Sequence, residues 1–149
     1  MLHLLTRVSA LTLIAGVLGC DLDTTKLNAQ MEATLEEYGV LIKSVSCPEG
    51  KKNKEGETFE CTGEAEDGTK FRVAASVKAG GEVKFDLVGR VIDPADVQGR
   101  LAAQTGRKLD CGTAKRIAVK GVEIACKDAN GVIAVVFTDD EGNNEFASK

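Results

Sequence analysis

Apolar residues recur along this chain at two spacings, and the two spacings alternate. Leu27, Met31, Leu35 and Tyr38 fall three or four positions apart, which is one face of a helix, and Gly39 follows where a helix would end. The pattern then changes to period two. L-I-K-S-V-S-C reads as a short strand, and T-F-E-C-T as a second with Phe59 and Cys61 on one side. After the turn E-D-G-T, the run K-F-R-V-A-A-S-V-K alternates cleanly. Phe71, Val73, Ala75 and Val77 face one way, and Lys70, Arg72 and Lys78 the other. A-G-G-E turns the chain again, and V-K-F-D-L supplies Val83, Phe85 and Leu87. One helix followed by an antiparallel meander of about four strands is the expected unit.

The same order then recurs. Asp93 is a natural helix N-cap, Pro94 suits the first helical position, and Asp96 lies in the first turn, where the helix dipole favours an acid. Val97 and Leu101 start an apolar stripe that Gly106 can end. Strands are expected around R-K-L-D-C, G-V-E-I-A-C and G-V-I-A-V-V-F-T, with N-N-E-F as a short last one. Cys111 and Cys126 follow Cys47 and Cys61 at offsets of 64 and 65 (111 − 47 and 126 − 61). Gly81 with Phe85 has the spacing of Gly142 with Phe146. The fold class expected is therefore α+β, as two tandem modules over residues 27–91 and 92–149, each one helix and a three- to four-stranded antiparallel meander. V-G-R-V-I, residues 88–92, is too apolar for a free linker and should pack.

Residues 1–26 lie outside that pattern. Arg7 precedes an apolar stretch from Val8 to Leu18, broken only by Ser9 and Thr12. As a helix it would span roughly 16 Å, against about 30 Å for a bilayer core, so it fits an export signal better than a membrane span. It ends in V-L-G-C, which resembles the bacterial lipobox. That resemblance implies diacylglycerol on the Cys20 thiol and cleavage after Gly19. Residues 1–19 would then be a removed signal and residues 20–26 a lipidated cysteine with a short tether. Asp21 resembles an inner-membrane retention signal of some Gram-negative bacteria. Each buried lipid methylene adds about 0.8 kcal/mol, so two or three chains would anchor the protein durably.

There are five cysteines. An odd count in an exported protein flags a leftover thiol, and lipid on Cys20 would account for it. Four cysteines allow three pairings, and spacing alone does not choose. The internal repeat does: it predicts Cys47–Cys61 and Cys111–Cys126, each closing a local loop and contributing about 3 kcal/mol in the chain-entropy model. Modules of this size bury a small core, which gives the crosslinks a structural purpose. No C-x-x-C is present to indicate a redox role, and the pairs are too widely spaced for an ordinary zinc site.

V-S-C-P-E-G, E-G-E-T-F-E-C-T, D-G-T-K-F-R-V-A-A-S-V and G-E-V-K-F-D-L together resemble the bacterial envelope family called domain of unknown function 4333. The resemblance covers residues 27–88. The second copy is looser, since Cys111 lacks the following proline. The family implies a fold and a lipoprotein signal, and no activity.

Composition narrows the chemistry. The chain of 149 residues is 43% hydrophobic and 28% charged with net charge −4, which is globular and implies no general affinity for nucleic acid. Tryptophan is absent and there is one tyrosine, which disfavours a base-stacking or sugar-stacking platform. The single histidine, His3, lies in the expected signal, so a mature form would lack the usual general base of Ser–His and Cys–His catalysis. No phosphate-loop, dinucleotide or nucleophile-elbow motif occurs, and no cofactor is expected. The acidic clusters Glu64, Glu66, Asp67 and Asp139, Asp140, Glu141 lack calcium-loop spacing and read as solvated turns. The loop inside each cysteine pair is basic, with Lys51, Lys52 and Lys54 in the first and Lys115, Arg116 and Lys120 in the second. These basic side chains are either a solvated surface or a contact for anionic lipid, cell-wall polymer or an acidic protein. The expected function is that of a lipid-anchored, extracytoplasmic, non-catalytic binding module whose partners are the membrane and an envelope protein or cell-wall polymer. Two alternatives stand beside it: an inhibitor of a secreted enzyme, because the tandem architecture resembles beta-lactamase-inhibitor proteins, and a hydrolase working with carboxylates alone.

Overall fold

The computed structural model describes residues 20–148; the expected signal, residues 1–19, lies outside them. Helix α1 spans Thr24–Glu37 and starts where the Asp23 carboxylate accepts the Lys26 N–H. Strands β1 (Ile42–Ser46), β2 (Thr58–Ala65), β3 (Lys70–Val77) and β4 (Val83–Val88) form one antiparallel sheet in that order. Leu27, Met31 and Leu35 from α1 bury against Val45, Phe59, Cys61, Val73 and Val77 of the sheet. The inward set of β3 is the one its alternation predicts. Gly63 lies opposite Phe71 across β2 and β3, and the Phe71 ring occupies the space that a side chain at Gly63 would need.

Helix α2 spans Pro94–Thr105. Asp93 caps it by accepting the Ala95 N–H, and Gly106 ends it at φ 67°. Strands β7 (Glu123–Asp128), β8 (Gly131–Phe137) and β9 (Asn144–Ser148) form a second antiparallel sheet in that order. Val97 and Leu101 pack with Leu109, Ile124, Ile133, Val135 and Phe137. R-K-L-D-C does not form the full strand its pattern predicts. Asp110 makes a single antiparallel bridge to Lys127, enough to bring Cys111 beside Cys126.

Both disulfides form as the repeat predicts, Cys47–Cys61 and Cys111–Cys126, with Cα atoms 4.3 and 4.1 Å apart. Each joins neighbouring antiparallel segments under a helix. The Cys47 N–H donates to Asn28 Oδ1 at 3.0 Å, and the Cys111 N–H to Gln98 Oε1 at 3.2 Å. Asn28 and Gln98 hold the same helical position, each the fifth residue beyond its aspartate cap.

The two halves are joined by a feature that the expected repeat does not include. Strand β5 (Arg90–Ile92) pairs antiparallel with β6 (Arg116–Ala118), which lies inside the second disulfide loop. Side chains alternate across this ribbon. Val91 and fully buried Ile117 face the core of the first half, and Ile92 and Ala118 that of the second. The expected module boundary, between Val91 and Ile92, therefore falls inside a strand. Gly89, at φ 132°, lets the chain pass from β4 into β5. A Cβ there would lie 2.9 Å from the Ala118 carbonyl oxygen, too close for a side chain. Among the described residues, no helix is long and apolar enough to cross a membrane.

Because Ile117 fills the first core from the second half of the chain, Ile117→Ala should destabilise the protein by about 2–5 kcal/mol. Urea unfolding should show one transition shifted as a whole. Two separate transitions, with only one displaced, would contradict a shared core.

Candidate binding groove

A four-stranded sheet is about 14 Å across between its outer strands, and a helix with its side chains is about 10–12 Å thick. One helix therefore cannot cover all four strands. Helix α1 lies closest to β1, and β4 at the opposite edge keeps Val83, Phe85 and Leu87 only half-buried. The result is an apolar groove of about 330 Å³ between α1 and β4. Met31, Leu35 and Val73 lie in it, Phe85, Leu87 and Val91 line one side, and Tyr38 stands at its end with 61% of its surface exposed. Leu41, 58% exposed, follows Tyr38 by three residues. A second cleft, about 620 Å³ and more polar, continues along α1 from the shared residues Thr34 and Phe85 towards Asp21, Leu22, Asn53 and Gly81.

The basic loops lie at different places. In the first, the Leu22 N–H donates to the Lys51 carbonyl and the Asn53 N–H to the Cys20 carbonyl, at 2.7 and 2.8 Å. Lys52 pairs with Asp21, and the Lys51 ammonium lies 4.0 Å from Glu57. Lys54 is exposed. In the second, Lys115 forms a parallel bridge with Val40 and lays its aliphatic stem against Gly39. Arg116 bonds Asp67, and the Lys120 N–H donates to Asp140. The second loop thus joins the two halves, with Arg116 held in an ion pair. Its charges stand out in the sequence, but it is the apolar run within it, I-A-V (residues 117–119), that carries the joint.

The carboxylates of the acidic clusters serve their own turns. Asp139 accepts the Glu141 and Asn143 N–H groups and the Asn143 side-chain amide, and these bonds hold its pKa below the ordinary value. Burial opposes ionisation of Asp67, but bonds from the Thr69 N–H and hydroxyl and from Arg116 outweigh it and keep this carboxyl low as well. Asp128 is held lowest, at about 2, chiefly by the two-pronged Arg107 guanidinium, with Nε at 2.7 Å, and also by the Asn130 N–H. Glu64 is lowered by Lys43. Each of these shifts favours the charged form, the opposite of what a general acid needs near neutral pH. Among the described residues, no three His, Cys, Asp or Glu side chains are grouped to hold a metal ion.

Fold and surface together define a small disulfide-stapled α+β protein with an apolar groove at a sheet edge. Residues 8–80 match the family model described as Domain of unknown function (DUF4333), and over this stretch the chain resembles that family. The match takes in α1, the first disulfide and β3, and stops before β4 and the second half. Neither a curated protein nor a solved structure matches the chain.

The Arg107–Asp128 pair makes acid stability testable. The Asp128 carboxyl titrates at about 2 in the folded chain against an ordinary 3.8. Its contribution is therefore complete above the ordinary value and disappears as pH falls from there through about 2. Asp128→Asn should be less stable than the parent at pH 6 by urea titration, and that difference should shrink steadily below pH 4. A difference that stayed constant down to pH 2 would contradict the assignment.

Proposed function

We propose that this is a lipid-anchored protein of the bacterial envelope that works by binding an envelope protein, with the groove between α1 and β4 as the contact. The observation that carries the binding surface is the row Phe85, Leu87 and Val91, left half-buried beside exposed Tyr38. β4 is also one of the two outer strands of its sheet. An edge strand presents unpaired N–H and C=O groups, so an extended segment of a partner could add beside it and seat apolar side chains in the groove. The downward-shifted carboxylates support binding over acid–base catalysis. The anchor is supported by V-L-G-C and by Cys20 being the exposed cysteine outside both disulfides. It is also supported by a family match that begins at Val8 and so includes the apolar run before Cys20.

On the same reading the chain holds two copies of one module. The correspondence of Asn28 with Gln98, of both capping aspartates and of both disulfides supports a duplication, with the second copy altered to supply β6.

Intact-mass analysis of membrane-extracted protein should show loss of residues 1–19 and added acyl mass. A soluble product with a free Cys20 thiol would reject the anchor. Pull-down from detergent-solubilised envelope should retain a protein on the parent chain and lose it on Phe85→Glu, with the far-ultraviolet spectrum unchanged. Retention by the variant, or capture of cell-wall glycan alone, would reject the groove as a protein-docking edge.

A further inference from the structure

The tether expected between lipid and domain is not free chain. Asp21 and Lys52 form an antiparallel bridge, flanked by the Leu22–Lys51 and Asn53–Cys20 backbone bonds, and α1 begins only two residues after Leu22. Cys20 is thus bound into the domain as a short edge of the first disulfide loop. That loop sits at the Thr58 end of β2 together with the β3–β4 turn, since Thr58 pairs with Ser76 and Val77 with Val83. Gly81 of this turn lies against Asn53. The joint to the second half lies at the other end of the same strands. There Arg116 bonds Asp67 in the β2–β3 turn, and Lys115 bridges Val40 just beyond α1. The eight residues of β2 separate the two ends by about 25 Å.

We propose that the protein stands upright on the bilayer, with residues 20–22, the Lys51–Lys54 loop and the Gly80–Gly81 turn against the lipid surface and the joint to the second half directed away from it. This rests on the lipid anchor at Cys20. The orientation comes from the backbone clamp and not from charge. Lys52 and Lys51 face Asp21 and Glu57, and Asp23, Glu49 and Glu55 offset Lys26 and Lys54 nearby. The surface recognised is therefore a phospholipid headgroup layer of any charge, held at contact distance by the acyl chains. Exposed Tyr38 and Leu41 lie at the far end, beside the joint, where a partner in the envelope could reach them.

The test uses the full-length lipoprotein extracted from membranes, with acylation established first by intact mass, so that failure of the anchor is seen separately. Four cysteines are in disulfides and lipid occupies the fifth, so one introduced cysteine takes a fluorophore selectively. Lys54→Cys reports the loop, and Glu66→Cys the opposite turn; both positions are exposed. The labelled proteins are placed in phosphatidylcholine vesicles, with and without phosphatidylglycerol, that carry a short-range nitroxide quencher on their headgroups. The Lys54 label should be quenched several-fold more than the Glu66 label in both vesicle types. Equal quenching in an acylated protein would mean a free tether and overturn the proposal. A difference appearing only with phosphatidylglycerol would assign the orientation to charge and overturn it too. Asn53→Pro removes the N–H that holds the Cys20 carbonyl and should narrow the difference. Should that variant not fold, the two labels in the parent background decide.

Discussion

The β5–β6 ribbon is the constraint on which the architecture depends. A two-stranded ribbon has two faces, and here each sends apolar side chains into a different core. Val91 and Ile117 complete one core, while Ile92 and Ala118 complete the other. Each half of about 60 residues has a small apolar core, and burying a side chain such as isoleucine contributes about 1.5–3 kcal/mol. Losing Ile117 from the first core would remove one of its fully buried side chains. The halves therefore stabilise each other through apolar burial, and Arg116–Asp67 adds a directional bond at the same joint. Gly89 is the residue that allows it, because β6 passes too close for any side chain.

The disulfides act within each half, before the ribbon joins them. Each closes the loop between the first strand-like segment and the next, and each depends on an amide side chain from the helix above to satisfy the cysteine N–H. A buried donor without such a partner would cost about 1–3 kcal/mol, so Asn28 and Gln98 fix how helix and disulfide meet. The groove is a geometric by-product of the same packing. One helix cannot span four strands, and the uncovered strand is β4, at the edge opposite β1. Burial of its apolar side chains and pairing of its outer backbone edge are thus both incomplete at β4.

Cys20 and the groove belong to one half, the half that resembles the domain of unknown function. Cys20 lies at the end where the first disulfide loop and the β3–β4 turn meet, and the groove runs from near that end towards Tyr38. The second half lies past the match and is attached at the far end through its own disulfide loop. In this arrangement the basic character of the two loops has two different outcomes. The first loop keeps its lysines at the surface near neutralising acids, and the second commits Arg116 to the joint.

Local pattern was enough to determine the helices with their glycine ends, the Asp93 cap, the inward face of β3 and the two disulfides, whereas the Asp23 cap and the start of α1 at Thr24 fall in the stretch expected to be a tether. Helical and strand periods are properties of neighbouring residues, and the repeat aligned the cysteines two by two. The R-K-L-D-C segment was the exception. Its alternation was strand-like, but within it only Asp110 bridges another segment, and the chain after Cys111 goes on to pair with β5. The apolar character of residues 88–92 told that they pack, and could not tell against what. Only the tertiary structure decided that they pair with residues 116–118, that one helix leaves β4 half-covered, and that Cys20 is clamped to Asn53. Those contacts join positions far apart in the chain. A strand pattern states which side chains face inward, whereas its partner and the core it completes depend on how the folded elements fit together in space.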